Sequence, residues 1–384
     1  MQHVAVIGAG PAGLMAAETL AGAGLSVDVY DRMPSPGRKF LLAGRGGLNL
    51  THTEPLPALL ARYSTQVLTP AIEGFPPAAL MDWCRALGQE VFTGSSGRVF
   101  PVAFKATPLL RAWLQRLARH GVRLHTGRHW LGWTDDGALR FADGPPLRAD
   151  ATVLALGGAS WPRLGSDGGW VAALDGVTVT PLRPANCGFL HTWSARFAER
   201  FAGQPLHRVR ATHAGQSAMG EAMLTAAGIE GGVVYALSAA LRTTLEQAGT
   251  ATLTLDLRPD LDAAAVAQRL GGSGVSAANA LRRAGLDRTA AALVREAGGP
   301  LIGLKALPVT LVGTAPMARA ISTAGGVAMA ELTAGYMLHR RPGVFVAGEM
   351  LDWEAPTGGY LLQAAFSTGH AAALGVVQWL SIAR

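Results

Sequence analysis

The sequence predicts an α/β protein organised around a parallel sheet, and the first 31 residues carry the prediction. Residues 4–7 form a short run of small and β-branched apolar residues, typical of a strand buried on both faces. A glycine-rich turn at 8–13 and an apolar helical pattern at 14–20 follow it. A second strand at 27–30 ends on Asp31. A dinucleotide-binding βαβ unit requires this order of elements: strand, G-x-G-x-x-G turn, helix, strand and acid.

The glycine-rich turn predicts where the phosphates of a dinucleotide bind. Gly8 allows a tight turn, Gly10 leaves room for a pyrophosphate, and Gly13 lets the helix pack closely on the strand. The pyrophosphate is expected at the start of the helix, beside Pro11 and Ala12, where the dipole favours anions. The acid that ends the second strand is expected to accept hydrogen bonds from a ribose.

Length and composition narrow the alternatives. A chain of 384 residues favours two domains, and 49% hydrophobic with 15% charged residues is typical of a soluble globular protein. The net charge of +7 could attract nucleic acid, but the arginines are scattered along the sequence, which favours a solvated surface. Cys84 and Cys187 lack metal-ligand spacing and are expected to be buried thiols of a cytoplasmic protein. The apolar stretch 360–382 contains polar interruptions, so a buried helix is expected there, not a membrane span.

Residues 32–52 form a long segment that is rich in glycine and basic residues. A loop of this length inside a compact domain is usually functional, although a mobile surface loop is the alternative. Its basic and polar side chains predict a segment that closes over an anionic ligand. The residues singled out are Arg32, Arg38, Lys39, Arg45, Asn49 and His52.

Three later segments return to the pattern of the first. A buried strand at 151–156 ends at Gly157 and Gly158, and a strand at 343–348 ends at Glu349. Residues 323–327 are interpreted as a glycine turn. Gly358 and Gly359 precede the last helix, where they either form a second anion-binding site, on the flavin side, or simply start the helix. Residues 185–318 differ in character, with an apparent helix at 233–245 and an Ala/Arg-rich helical part at about 260–300. A second glycine motif at 272–277 follows no buried strand and is interpreted as a loop between helices.

These motifs together resemble the bacterial HI0933-like flavoproteins, known as NAD(P)/FAD-dependent oxidoreductases, some of them aminoacetone oxidases or bile-acid dienone reductases. The resemblance implies a glutathione-reductase-like, FAD-binding Rossmann domain at 1–184 and 319–384. It also implies an inserted β-barrel-like domain at 185–318 that includes a small helical domain. The family's loop commonly reads Gly-Gly-Gly-Arg-Cys-Asn, whereas Gly47 and Leu48 stand here at the Arg and Cys positions. Thiol chemistry is therefore not expected at this loop.

The resemblance and the residues together predict non-covalent FAD and no metal. The expected cofactor-binding residues are Gly8, Gly10, Pro11, Ala12, Gly13, Asp31, Arg32, Arg38, Lys39, Gly157, Gly158, Gly348, Glu349, Gly358, Gly359, Tyr360 and Leu361. The candidate catalytic residues are His52, Arg45, Asn49 and Tyr360, and Trp161 is a further candidate for the substrate side. His52 could transfer a proton near neutral pH, and an equally good interpretation is a structural hydrogen bond.

The predicted function is an FAD-dependent oxidoreductase that transfers hydride between flavin and a small or medium organic substrate. The alternatives are an oxidase that uses oxygen, a flavin-containing nucleic-acid-binding protein, and an NAD-binding protein without flavin. One credible dinucleotide unit is present, so NAD(P)H is expected to have no dedicated site. Neither a nucleic-acid partner nor a membrane is expected.

Overall fold

The structure is a computed structural model that describes residues 2–44, 46–271, 275–298 and 300–382. The strands are β1 (His3–Ile7), β2 (Ser26–Asp31), β3 (Thr51–His52), β4 (Val91–Thr93), β5 (Arg98–Pro101), β6 (Arg123–Thr126), β7 (Trp130–Trp133), β8 (Leu139–Phe141), β9 (Ala151–Leu154), β10 (Val179–Ala185), β11 (Phe189–Leu190), β12 (Pro205–His213), β13 (Gln216–Thr225), β14 (Gly228–Glu230), β15 (Ala251–Asp256), β16 (Leu307–Leu311), β17 (Gly313–Thr314), β18 (Ser322–Val327) and β19 (Val344–Val346). The α-helices are α1 (Pro11–Gly22), α2 (Arg38–Ala43), α3 (Leu56–Leu60), α4 (Thr69–Gly74), α5 (Pro77–Ala86), α6 (Ala106–Arg119), α7 (Ala195–Phe201), α8 (Gly232–Ala236), α9 (Ser238–Ala248), α10 (Ala263–Leu270), α11 (Ala277–Arg283), α12 (Arg288–Glu296) and α13 (Tyr360–Ile382).

The chain divides into two compact units. The first, called here the sheet unit, comprises Met1–Arg183 with Ser322–Arg384, and the second, the inserted unit, comprises Pro184–Ile321. That residues 185–318 form a separately folding domain stays a proposal. Each unit has its own cluster of buried apolar side chains.

A five-stranded parallel sheet forms the centre of the sheet unit, in the order β19-β9-β1-β2-β6. Val4 to Val6 of β1 are fully buried, as the apolar run predicted, because α-helices cover a parallel sheet on both faces. This strand order is that of a Rossmann fold, in which ligands bind at the carboxyl ends of the strands where the order reverses. The place of reversal lies between β1 and β9.

Helix α13 packs against α1 and closes the sheet unit. A Cβ atom on Gly369 would lie 2.2 Å from the Ala12 carbonyl oxygen, so only glycine allows the two helices to approach this closely. The stretch 360–382 is a buried helix, as predicted. Across the described ranges, no helix is long and apolar enough to cross a membrane.

Three local predictions were wrong. Residues 32–52 are not a continuous loop, because Arg38–Ala43 form α2, whose Phe40 is 2% exposed in the core. Residues 323–327 lie in the fully buried strand β18, where positive φ angles let Gly325 and Gly326 approach neighbouring backbone. The helix expected at 233–245 is interrupted at Leu237, between α8 and α9.

The inserted unit contains a seven-stranded antiparallel sheet in the order β16-β15-β12-β13-β14-β11-β17. Its two outer strands, β16 and β17, are separated in the chain by Val312 alone. Two edges joined by one residue require the sheet to curl back on itself, which is the arrangement of a barrel. Helices α10, α11 and α12 follow β15 in the chain, as the Ala/Arg-rich composition predicted. Half of the rejected glycine motif, residues 272–274, lies outside the described residues.

Candidate active site

The glycine-rich turn after β1 combines two tightly packed glycines with one open glycine. A Cβ atom on Gly8, which has φ +107°, would lie 2.2 Å from the Ala155 carbonyl oxygen. A Cβ atom on Gly13 would lie 1.9 Å from the Gly8 carbonyl oxygen. A Cβ atom on Gly10 would meet nothing within 4 Å. Gly8 and Gly13 therefore serve the packing of backbone on backbone, and Gly10 borders free space.

Free backbone donors face that space at the start of α1. The first intrahelical hydrogen bond runs from the Leu14 N–H to the Gly10 carbonyl oxygen, 2.9 Å away. The N–H groups of Ala12 and Gly13 precede this bond, and Pro11 has no N–H to satisfy. Unpaired donors and the positive end of the helix dipole together make an anion site.

Asp31 lies beside this turn at the end of β2. Its carboxylate accepts the Ala9 N–H at 2.8 Å and the Met33 N–H at 2.7 Å. A carboxylate has about four acceptor positions, so the two remaining can serve a ribose hydroxyl. Burial raises the pKa of Asp31 above its usual value, although these backbone bonds and the charges of Arg32 and Arg38 oppose the shift.

The second predicted corner, around Glu349, is occupied by the protein's own donors. The Glu349 carboxylate accepts Lys39 Nζ at 2.6 Å, the Thr323 N–H at 2.9 Å and the Gly158 N–H at 3.2 Å. Lys39 Nζ also donates to the buried Ser160 hydroxyl at 2.7 Å. Glu349 therefore positions an ammonium group and holds the turn after β9 in place.

Gly348 likewise serves packing in this corner. Its N–H donates to Thr368 Oγ1 at 3.0 Å, and a Cβ atom there would lie 2.8 Å from the Ala12 Cβ. The Gly348 N–H is thus engaged within the protein, in contrast to the N–H groups at the start of α1.

Three buried polar atoms near these elements have no partner among the described residues. They are Arg38 Nε, Asn49 Oδ1 and Ser166 Oγ. Ser166 Oγ lies 3.2 Å from the position that a Cβ atom on Gly157 would take. Buried polar atoms are nearly always hydrogen-bonded, so unpartnered ones on the predicted cofactor elements fit a bound ligand that has polar groups of its own. The residues present therefore suit a dinucleotide.

A second glycine pair opens α13. Gly358 and Gly359 have φ values of +135° and +99°, and a Cβ atom on Gly359 would lie 2.5 Å from the Thr51 backbone. The first intrahelical bond of α13 is accepted by Gly359, so the N–H groups of Tyr360 and Leu361 precede it. This helix start can donate to an electron-rich edge of a ligand.

Tyr360 belongs to a charged network that the sequence did not reveal. Its hydroxyl donates to Glu54 Oε1 at 2.6 Å, and Arg62 donates to Glu54 Oε2 at 2.9 Å. Burial, the hydrogen bond to Glu54 and the negative charge of Glu54 raise the pKa of Tyr360 well above its usual value. Burial also opposes ionisation of Glu54, but the hydrogen bonds from Arg62 and Tyr360 outweigh it and lower the pKa of this carboxyl.

His52 is held by two backbone partners. Its Nε2 lies 2.8 Å from the Ser96 carbonyl oxygen, and its Nδ1 lies 3.0 Å from the Glu54 backbone nitrogen. A carbonyl can only accept and an N–H can only donate, so these partners assign the neutral Nε2–H tautomer. The ring also stacks on Tyr360 with centroids 5.6 Å apart. This geometry favours the structural interpretation of His52 over proton transfer.

The remaining candidates differ in what the structure says of them. Arg45 lies outside the described residues. Trp161 has φ +63°, an unusual conformation for a bulky residue, and it follows Ser160 directly. Asn49 lies between the fully buried Leu48 and Leu50. No cluster that could hold a metal ion occurs in the part of the chain that the structure describes.

Sequence reasoning missed Glu54, Arg62, Ser160 and Ser166. Tyr360 is 306 positions from Glu54, and no local motif marks such a pair. The only available signal was indirect, since Ser160 and Ser166 lie in the polar segment directly after the buried strand that ends at Gly158.

Comparison with known proteins agrees with this geometry. The HI0933-like protein Rossmann domain family matches residues 2–375. A 3-dehydro-bile acid delta(4,6)-reductase of Clostridium scindens is 26% identical, with 97% of this chain and 98% of the relative covered. A ribosomal RNA dihydrouridine synthase of Escherichia coli is 26% identical, with 96% of each chain covered.

A solved structure supports the fold. The 3-ketosteroid delta1-dehydrogenase of Sterolibacterium denitrificans superposes with a TM-score of 0.54 at 13% identity, covering 98% of this chain and all of the other. The family match extends over nearly the whole chain and confirms the family, the fold class and the cofactor predicted from the sequence. The chain belongs to the HI0933-like family of FAD-dependent oxidoreductases.

Proposed function

We propose that this protein is a reductase that adds hydride to a carbon–carbon double bond conjugated with a carbonyl group. Two relatives carry this proposal, because each spans at least 96% of the chain and their names describe the same bond change. A 3-oxo group is conjugated with delta(4,6) double bonds, and the C5=C6 bond of uracil is conjugated with the C4 carbonyl. The substrates differ greatly in size, but the reacting groups are alike.

The reaction is balanced by one hydride and one proton. When bound and reduced, FAD would supply the hydride at the flavin ring, and solvent water would supply the proton. The carbon β to the carbonyl gains the hydride, the α carbon gains a proton, and the double bond becomes single. The carbonyl oxygen carries the transient negative charge, so a nearby hydrogen-bond donor lowers the barrier.

The chain's own groups have separable roles in this proposal. Gly10 and the start of α1 would hold the pyrophosphate, and Asp31 the adenosine ribose. The start of α13 would donate N–H groups to the flavin and stabilise its reduced anion by about 0.5–2 kcal/mol. Lys39, fixed by Glu349, would bring positive charge to the turn after β9, which includes Gly157 and Gly158. Glu54 and Arg62 would hold Tyr360 at the first turn of α13.

A partly exposed aromatic cluster supports a flat, conjugated substrate. Phe92 on β4, Phe100 on β5 and Phe104 just after β5 pack with ring centroids 5.1 to 5.8 Å apart. Phe104 is 50% exposed, and a Cβ atom on Gly47 would lie 3.2 Å from its ring. Partly exposed aromatic side chains grouped beside a candidate loop are typical of a ligand-binding surface. This cluster would contact the face of the substrate.

Anaerobic reoxidation of the flavin tests the reductase proposal. Holoprotein reduced with dithionite is mixed with a 4,6-dien-3-one steroid, with a uridine-containing RNA oligonucleotide, or with the saturated ketosteroid as control. We expect one of the conjugated substrates to restore the oxidised flavin spectrum, with a matching loss of substrate. Reoxidation by oxygen alone, with both conjugated compounds inert, would instead favour the oxidase alternative.

The electron donor provides a further prediction. Two-dinucleotide flavin reductases give NAD(P)H a βαβ unit of its own, and the described residues contain one such unit, which FAD is proposed to occupy. Reduction by NADH or NADPH is therefore expected to be slow and without tight saturation. Stopped-flow mixing under anaerobic conditions measures it, and fast bleaching that saturates at micromolar nucleotide would contradict the expectation.

A further inference from the structure

The inserted unit contains a cavity of about 390 Å³ between α7 and α12 that the redox site does not use. Four arginines line it, and we call it the arginine cleft: Arg196, Arg200, Arg288 and Arg295. All four side chains are exposed.

Helix geometry explains why the four arginines meet. Arg196 and Arg200 are four residues apart on α7, and Arg288 and Arg295 are seven apart on α12, so each pair lies on one helix face. Phe197 and Phe201 of α7 are buried and pack into the apolar core of the inserted unit. Both helices are thus fixed by apolar packing while their arginine faces remain open to solvent.

The charge in the cleft is not neutralised by the protein. Within the described ranges, no carboxylate forms an ion pair with any of the four guanidinium groups. The acid that lines the cleft, Glu296, instead accepts the Ser194 N–H at 2.6 Å and the Ser194 hydroxyl at 2.8 Å. Arg200 lies over the Phe201 ring at 5.7 Å, which leaves its N–H donors available. Grouped, unpaired arginines suit a ligand with several negative charges.

The net charge of the inserted unit also favours a negatively charged ligand. Residues 184–321 contain thirteen Lys and Arg against nine Asp and Glu, so this unit holds +4 of the chain's +7. The arginines are scattered in sequence between positions 196 and 295, which is why the sequence alone favoured a solvated surface. The fold brings four of them to one cavity.

We propose that the arginine cleft binds phosphate groups of an RNA. Arginine is the residue best suited to bidentate contacts with phosphate, and four guanidinium groups spread over two helices match a polymer better than one compact anion. A relative of nearly full coverage is named for action on ribosomal RNA. This proposal differs from the expectation from sequence that no nucleic acid would bind. It stands apart from the reductase proposal, because binding is measured without turnover.

Fluorescence anisotropy with a 5′-fluorescein-labelled RNA of about 20 nucleotides tests the cleft on the holoprotein, across salt concentrations. The double variant Arg196→Gln/Arg288→Gln removes two charges from it. We expect binding at least about tenfold weaker near 0.1 M salt, and a slope of log affinity against log salt that is shallower by about 1.4. Charge-preserving Arg196→Lys/Arg288→Lys should keep most of the slope. All four positions are exposed, so FAD content and melting temperature should stay at wild-type values.

The matched control is Arg111→Gln/Arg119→Gln on α6, which removes two exposed charges from the sheet unit. Equal losses in the two double variants would show a general charge effect and overturn the cleft proposal, as would unchanged RNA binding in the cleft variant. Competition by ADP at an affinity equal to or tighter than that of RNA would make this a free-nucleotide site and would also overturn it. Flavin reoxidation by the dienone steroid should be unaffected in the cleft variant, which separates this result from the outcome of the reductase test.

Discussion

The two glycine-containing corners of the sheet unit use the same residue type in opposite ways. At the turn after β1, Gly10 borders open space and the following N–H groups precede the first helical bond. At the corner after β19, Gly348 touches α1 and Glu349 is surrounded by donors of the protein. The comparison teaches that a glycine motif alone does not distinguish room for a ligand from room for backbone. Substitutions at the two corners should therefore change different properties.

Gly13→Val and Gly10→Val should give the largest contrast. At Gly13 the new Cβ atom would overlap a carbonyl oxygen that cannot move, so we expect a loss of roughly 3 kcal/mol or more in the free energy of unfolding. Gly10 has φ −85°, which any residue adopts, so its variant should fold but bind FAD at least about a hundredfold more weakly. Thermal melts of the apoprotein and FAD titrations measure both. Wild-type FAD affinity in Gly10→Val would show that the open space is not the pyrophosphate site.

Glu349→Gln should chiefly affect stability. The change leaves Lys39 without its carboxylate in a half-buried site, so we expect the apoprotein to lose about 1–3 kcal/mol of unfolding free energy. Lys39→Met is the matched partner, and the double variant should lose less than the sum of the two single losses. Additive losses in chemical denaturation would mean that the pair is not coupled.

Asp31→Ala should weaken FAD binding at the turn after β1 without destabilising the corner around Glu349. Removing the carboxylate takes away hydrogen bonds to a ribose, so FAD affinity should fall about tenfold to a hundredfold. Asp31→Asn keeps one acceptor oxygen and should lose less. Isothermal titration of apoprotein with FAD measures the effect, and an affinity equal to that of wild type would place the ribose elsewhere.

Glu54→Gln should have the smallest effect, and one that depends on pH. The folded state lowers the pKa of Glu54, so its stabilising contribution is present above the ordinary glutamate pKa and is lost as pH falls through the folded value. We expect the variant to be less stable than wild type by about 1–2 kcal/mol at neutral pH, and the two to converge in acid. A stability difference that stays constant down to the most acidic pH at which both remain folded would contradict the charged network.

The parts of the molecule that sequence could predict are those encoded locally. The βαβ unit up to Asp31 was readable because strand, turn, helix and acid occur within 31 residues. The Lys39–Glu349 pair could not be predicted, because 310 positions separate its partners and only the folded sheet brings them together. His52 shows the same limit, because its role depends on which atoms face its two ring nitrogens. The glycine-rich residues 323–327 were wrongly interpreted as a turn, because in β18 the glycines allow close packing of neighbouring backbone.

The strand order of the sheet unit also sets an order in time during synthesis. Strand β9 pairs with β19, and α1 packs on α13, yet both partners leave the ribosome only after residues 184–321 have been translated. At about 5–20 residues per second, the nascent chain waits roughly 10–40 s between β9 and the last helix. During that interval the first βαβ unit exposes the apolar surface that α13 will cover. The helix start at Gly358 and Gly359 can therefore join the turn after β1 only when the last helix has been translated.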